Sequence, residues 1–405
     1  MRSRRHAVGL SLLILACGPQ DPAAAPLAAP PPPPAEPLAV APPPPAEPAL
    51  QPADAAPVEL TPEQGVKAYQ DCWAAFNAKD FAKFSLCFAE DAVSERVDSG
   101  QPPLVGAEIV EKSAKLLATA FPDLVGEAQL TLANGNTVVG VWLLRGTHQG
   151  PLAGPNGVLA ATNKKIGHLL GHRVELKGGK AVREEHYADS RTLLGQLGAM
   201  PGPVRKVQEQ GVPDRALVIA RGTPAEAANL DVYKRYLEAL NAHDSARVDG
   251  FLADDFVLSD QSSPADLVGK QEVQRGLKQI WKGSSDLEIE NETAWAAGDY
   301  VVTTSSFSGT NDGPMPSMKL WKKTGKPFRL SFLEITRLQD GKLKRQWVFG
   351  NGMAFAAQLG LLPPVKDAKP APGAAGKDPK AGSGAAASKP AVAPAAEPAK
   401  PPAMR

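Results

Sequence analysis

The sequence predicts an α+β fold used twice in tandem, set between two Pro/Ala-rich ends. Three observations carry this reading. Pieces of one half recur in the other at constant spacing. Within each half, amphipathic helices come first and long alternating strands follow. Both ends lack the aromatic residues a packed core needs.

The repeat is visible by eye. The stretch Tyr69–Asp80 matches Tyr233–Asp244, Phe88–Val93 matches Leu252–Val257, and Leu104–Gly106 matches Leu267–Gly269. Further on, Gly146–Pro151 matches Gly309–Pro314, and Gln196-Leu-Gly198 matches Gln358-Leu-Gly360. The offset stays at about 163 residues, a domain length rather than the short period of a solenoid. Residues 58–201 then form domain 1 and 225–363 a degenerate domain 2. Residues 202–224 read as a linker, with Pro203, Gly211 and Pro213 as breakers.

Within domain 1, Thr61-Pro62-Glu63-Gln64 offers an N-cap, proline at the first helical position and a Glu or Gln in the first turn. Val66, Tyr69, Cys72, Trp73 and Phe76 then recur at helical spacing. Asn77-Ala-Lys-Asp80 turns the chain into a short helix carrying Phe81 and Phe84, and Gly106 opens a third helix. Four longer strands are expected over 124–134, 136–149, 164–177 and 180–188, turned by Asn134-Gly-Asn136 and Lys177-Gly-Gly-Lys180. Helices followed by an antiparallel meander make an α+β domain, with helices packed on a sheet.

The ends speak of address. Arg2, Arg4 and Arg5 precede the apolar run Ala7–Ala16, so 1–17 reads as an export signal. Ile14-Leu-Ala-Cys17 resembles the bacterial lipobox, which implies lipidation of Cys17 and a membrane partner through that lipid. Gly18 in place of an aspartate favours the outer membrane by the same resemblance. Residues 18–57, with Pro-Pro-Pro-Pro-Ala-Glu-Pro at both 31–37 and 42–48, read as a disordered polyproline stalk. Residues 364–405 read as a disordered Lys/Ala/Pro tail. A net charge of +1 argues against nucleic acid as partner. Of three cysteines, Cys72 and Cys87 remain for the fold, as a disulfide or as a buried thiol pair.

The stretch Arg183–Gly198 concentrates the candidate chemistry. It reads as a strand that ends at Asp189 and turns at once into a helix; counting back in twos places Tyr187 and Glu185 beside Asp189 on one face. Two acids and a phenol suit a pocket better than a core. Phe121-Pro-Asp-Leu124, Gly146-Thr-His-Gln-Gly150, Gly179-Lys180, Tyr187-x-Asp189 and Gln196-Leu-Gly198 together resemble the SnoaL-like polyketide cyclases, or ester cyclases, of the nuclear-transport-factor-2-like fold. The resemblance implies a cone enclosing an apolar cavity and a cofactor-free intramolecular aldol condensation. It implies general acid/base catalysis at Asp189, and a cavity-facing His148.

The chemistry asks for the same parts. A carboxylate in an apolar wall is a base of raised pKa, and the enolate it makes needs a hydrogen-bond donor. His148, Tyr187 and His172 are the donors available, and strand parity groups His148 with Trp142. No metal is expected, because His168 and His172 stand four apart on a strand, about 13 Å. In domain 2, Asn311 replaces His148, Asn351 replaces Asp189, and Trp347 and Phe349 replace Glu185 and Tyr187. These are its expected pocket residues, with Glu334 the one nearby acid. Domain 2 is therefore expected to bind or pack, forming an intramolecular pseudo-dimer with domain 1. The functional expectation is an envelope-anchored binder of apolar small molecules with residual ester cyclase-like activity in domain 1. An active aldol cyclase or isomerase using Asp189, or a purely structural envelope protein, is the alternative.

Overall fold

The computed structural model describes residues 60–154, 157–213, 215–316 and 320–362. The expected signal, Cys17, the stalk and the tail lie outside the described residues. Domain 1 runs α1 (Pro62–Asn77), α2 (Phe81–Ser85), β1 (Phe88–Arg96), β2 (Leu104–Val105), α3 (Ala107–Ala120), β3 (Val125–Asn134) and β4 (Thr137–Thr147). The small hairpin β5 (Leu152–Gly154) and β6 (Gly157–Leu159) follows, then β7 (Lys165–Lys177), β8 (Lys180–Tyr187) and α4 (Ser190–Gln196). After β9 (Ala216–Ile219) the series repeats as α5 (Pro224–Asn241), α6 (Ser245–Phe251), β10 (Leu252–Asp260), β11 (Leu267–Val268) and α7 (Lys270–Gly283). It closes with β12 (Glu288–Ala297), β13 (Tyr300–Thr310), β14 (Pro327–Gln339), β15 (Lys342–Phe349) and α8 (Gly352–Gln358).

Both copies start their helices in the same way. Thr61 and Thr223 accept from the backbone N–H three residues on, while Gln64 and Glu226 reach back to the cap, so two otherwise orphaned donors are satisfied. The sheet orders are also the same, β2-β1-β8-β7-β4-β3 and β11-β10-β15-β14-β13-β12. In each, one pair is parallel, β1 with β8 and β10 with β15, and the rest of the meander is antiparallel. Cys72 and Cys87 form a disulfide with Cα atoms 5.9 Å apart, which joins α1 to the entry of β1.

Residues 202–224 are not a free linker. Residues Ala216–Ile219 add to the domain 1 sheet as β9, parallel to β3. Gln208 N–H bonds Gly167 O at 2.8 Å, and Arg205 pairs with Asp266 of domain 2 at 2.8 Å. The breakers shape this segment without releasing it, because β3 offers it an open edge and backbone donors seek partners.

Each sheet has two different faces. One carries its own helices, with Tyr69, Trp73, Trp142, Leu170 and Val174 in domain 1 and Tyr233, Tyr236, Phe256 and Leu338 in domain 2. The other face meets the sheet of the second domain. Val139, Val141, Leu143, Leu169 and Tyr187 share one buried cluster with Val302, Leu333, Ile335, Trp347 and Phe349. The approach is close at Gly171, where a Cβ would stand 2.8 Å from atoms of both Leu333 and Phe349.

Candidate functional site in domain 1

Between α1, α3 and the helix-bearing face of the sheet lies a cavity of about 220 Å³. Its wall is mainly apolar, with Trp73, Phe76, Phe88, Phe121, Leu144 and Leu170 among the contributors. Three polar exceptions, Arg96, His186 and His172, fall on adjacent strands. Arg96 on β1 is the register partner of His186 on β8, which is in turn the partner of His172 on β7, itself opposite Gly140 on β4. One row across four strands thus runs Arg96, His186, His172, Gly140. Glu184, two residues before His186, shares its face.

Gly140 closes the row for a steric reason: a Cβ there would lie 2.2 Å from the Tyr69 hydroxyl. The vacated space admits Tyr69 from α1, whose hydroxyl stands 2.9 Å from His172 Nδ1 and accepts from Trp142 Nε1 at 2.6 Å. His172 Nε2 is 2.8 Å from Glu184 Oε1, and His186 Nε2 is 3.2 Å from Glu184 Oε2. The two imidazoles stack with centroids 4.6 Å apart. Burial pushes His172 below its ordinary pKa, and the like charge of His186 adds to this. Burial alone would raise Glu184, but the two imidazoles outweigh it and hold the carboxyl well below the usual range.

Asp189 lines the same cavity, and burial pushes its carboxyl up to about 6. Its oxygens are nevertheless occupied. Oδ2 accepts from Thr192 N at 2.8 Å and Thr192 Oγ1 at 2.7 Å, and Oδ1 accepts from Gly352 N at 3.0 Å and from Arg191 N at 3.4 Å. Asp189 therefore caps α4 and also holds the first residue of α8 in the other domain. Asn351 answers it, capping α8 through Met353 N and donating to Ser190 Oγ and Asp98 O. Asn351 is a lining residue of the domain 1 cavity, so the second domain completes the wall.

The structure moves several expected residues. Glu185 and Tyr187 do not face the cavity: Tyr187 lies in the interdomain cluster, and Glu185 pairs with Arg173 at 3.1 Å and Arg183 at 2.7 Å. Trp347 and Phe349 are likewise interdomain residues, not a domain 2 pocket. The reason is the pleat: the cavity face of β8 carries 184 and 186, and Asp189 reaches the wall only because the strand has ended at Tyr187. His148 lies behind Phe121, ring centroids 5.1 Å apart, and is not a lining residue. Its Nδ1 accepts from Thr162 N at 3.2 Å, as Asn311 Oδ1 accepts from Thr324 N at 2.7 Å. Both residues fasten the same loop in their respective domains. Trp142 stacks on Trp73, centroids 4.0 Å apart, and supports the wall from behind. His172 does line the cavity.

Glu184, His186, His168 and Arg96 were missed as site residues, although β7 parity from His172 to His168 would have found one of them. His168 is a buried lining residue whose Nδ1 has no partner, and burial lowers its pKa to about 4. His172, Glu184 and His186 each bring one ligand atom to within 4.8 Å of the others, and here those atoms are joined through Glu184. Glu184 is ionised and can only accept, so the neutral His172 carries its proton on Nε2 toward Glu184 and accepts from Tyr69 at Nδ1.

A largely apolar cavity with a convergent polar cluster, roofed by helices on a mostly antiparallel sheet, marks a small-molecule-binding α+β domain. The SnoaL-like polyketide cyclase family matches the chain over 63–197 and again over 230–359. The chain belongs to that family, in two copies. Among solved structures it is similar to a SnoaL-like polyketide cyclase candidate from Jannaschia sp. CCS1, at 18% identity, TM-score 0.32, covering 35% of this chain and 99% of that one. It is similar to TsrD from Streptomyces laurentii, at 22% identity, TM-score 0.30, covering 34% and 97%. A third is an LEH-like epoxide hydrolase from M. tuberculosis, at 16% identity, TM-score 0.29, covering 34% and 94%. No curated protein matches.

Proposed function

We propose that domain 1 binds an apolar small molecule in its cavity, and that domain 2 is a packing partner that completes the wall. One observation carries the reading: a largely apolar cavity of about 220 Å³ is interrupted by a row of charged and hydrogen-bonding side chains. Ligands held in such sites bury most of their surface and are oriented by a few polar groups. The unpartnered His168 Nδ1 supports a ligand with a polar group of its own, since a buried nitrogen without a partner costs about 1–3 kcal/mol. The polar row also supports cofactor-free acid/base turnover of the cyclase or isomerase type. Filling the cavity tests the binding: with Leu170→Trp, apolar molecules that co-purify with the chain, detected by native mass spectrometry, should disappear while circular dichroism is retained. Undiminished co-purification with that variant would place the ligand elsewhere.

The same proposal sets this binding at the cell envelope, tethered by lipid on Cys17 and favouring the outer membrane. Its support is the sequence Ile14-Leu-Ala-Cys17 behind a basic, apolar leader. Cys17→Ser is expected to abolish labelling by radioactive palmitate and to release the protein from membranes; label retained in the variant would remove the anchor.

A further inference from the structure

We infer that His186 is the proton acceptor of domain 1, oriented by Glu184, for neutral apolar substrates bearing a C–H acidified by an adjacent unsaturated carbon. This rests on the proposal that the cavity binds an apolar small molecule.

The hydrogen-bond chain leaves few choices. Trp142 Nε1 donates to Tyr69, Tyr69 donates to His172 Nδ1, and His172 Nε2 donates to Glu184 Oε1. His172 is thus fully engaged, with neither nitrogen left to take a proton. Glu184 has its second oxygen turned to His186 Nε2, 3.2 Å away. That contact keeps the His186 proton on Nε2 and leaves the lone pair on Nδ1. His186 is a lining residue, so the wall presents an imidazole base with its tautomer set by a carboxylate. Asp189, the other acid in the wall, already accepts from Thr192, Arg191 and Gly352. Arg96, the cross-strand neighbour of His186 and also a lining residue, is the cation closest in the row to charge developing on a substrate oxygen. Glu184 acts through His186 and is a positioning residue.

The test uses 5-nitrobenzisoxazole with the full chain. This probe needs no cofactor: the base takes its carbon-bound proton, the C–H electron pair becomes the third bond of a nitrile, and the N–O bond breaks to give a coloured phenolate. The proton remains on His186 and passes to water as product leaves. Probe binding is read separately from quenching of Trp73 and Trp142 fluorescence. His186→Ala is expected to lower kcat by about 100-fold or more, with probe affinity held within about threefold. Glu184→Gln should lower kcat with KM little changed, because its amide hydrogens reset the neighbouring tautomers. Probe bound but not turned over by the wild type overturns the assignment. So does a larger loss for Asp189→Asn than for His186→Ala, or turnover that a chelator abolishes. A probe that does not bind removes the binding proposal itself, and this inference with it. Melting curves of each variant separate loss of fold from loss of chemistry, and if Glu184→Gln does not fold, His186→Ala decides alone.

Discussion

Replacing Trp347 by alanine is expected to destabilise the chain by about 3–5 kcal/mol, the cost of removing a large buried aromatic and leaving a cavity. Trp347 is fully buried, and Arg345 lies over its ring with the guanidinium 5.5 Å from the centroid. Its neighbours in the cluster come from both domains, Leu169 and Tyr187 on one side and Leu333 and Ile335 on the other. Collapse into the space is limited, because two hydrogen-bonded sheets cannot follow a single missing side chain. The loss should therefore be felt by domain 1 as well, with faster hydrogen exchange along β7 and β8. Urea unfolding gives the magnitude. A loss below about 1 kcal/mol, with exchange in domain 1 unchanged, would mean that the sheet-to-sheet contact contributes little.

Glu334→Gln is expected to act in the opposite direction, stabilising the protein at pH 8 and flattening its pH dependence. Glu334 is buried on the helix-bearing side of the domain 2 sheet, where Oε1 accepts from Gln346 at 2.7 Å and Thr336 at 3.0 Å. Burial pushes its carboxyl up from 4.5 to about 7. A raised pKa means the folded state holds the proton more tightly than the unfolded state, so stability is greatest below pH 4.5 and falls as pH rises toward 7. The size of the fall is about 3 kcal/mol, from 1.36 kcal/mol per pKa step. Gln keeps the shape and carries no charge to bury. Asp189, raised to about 6, adds a slope of the same sign between pH 3.8 and 6 in both proteins. The difference between wild type and variant across pH 4.5–8 isolates Glu334, and parallel stability curves would refute the ionisation.

Much of the fold was legible because local rules and the repeat agreed. Thr61-Pro-Glu-Gln64 is capped as its sequence demands, and the turns Asn134-Gly-Asn136 and Lys177-Gly-Gly-Lys180 close hairpins. The cavity face was not legible, for two physical reasons. Asp189 lies beyond the last residue of β8, so counting in twos from it carried the pleat past its end. The hairpin also contains a register shift: Leu176 pairs with Ala181 but Glu175 pairs with Arg183. That extra residue, Val182, brings His186 rather than Glu185 opposite His172, and such an irregularity has no reliable local signature. Trp347 and Phe349 in the second copy did hold a clue. Positions that tolerate Glu and Tyr in one copy and two large aromatics in the other suit an interface with unlike partners better than a pocket.

The facing helix caps have a consequence for how this chain could diverge. In a two-fold assembly of identical subunits, the contact that the α4 cap makes with the facing helix must be made again, unchanged, on the other side of the axis. Two aspartates there would make the same contact twice, each accepting from the first backbone N–H of the facing helix. Joining the copies in one polypeptide breaks that identity, and this chain uses the freedom: Asp189 accepts from Gly352 while Asn351 donates to Ser190. Identical subunits could not carry Asp at one cap and Asn at the other. Covalent fusion thus permits division of labour, in which one half keeps an open cavity and the other is free to become its scaffold.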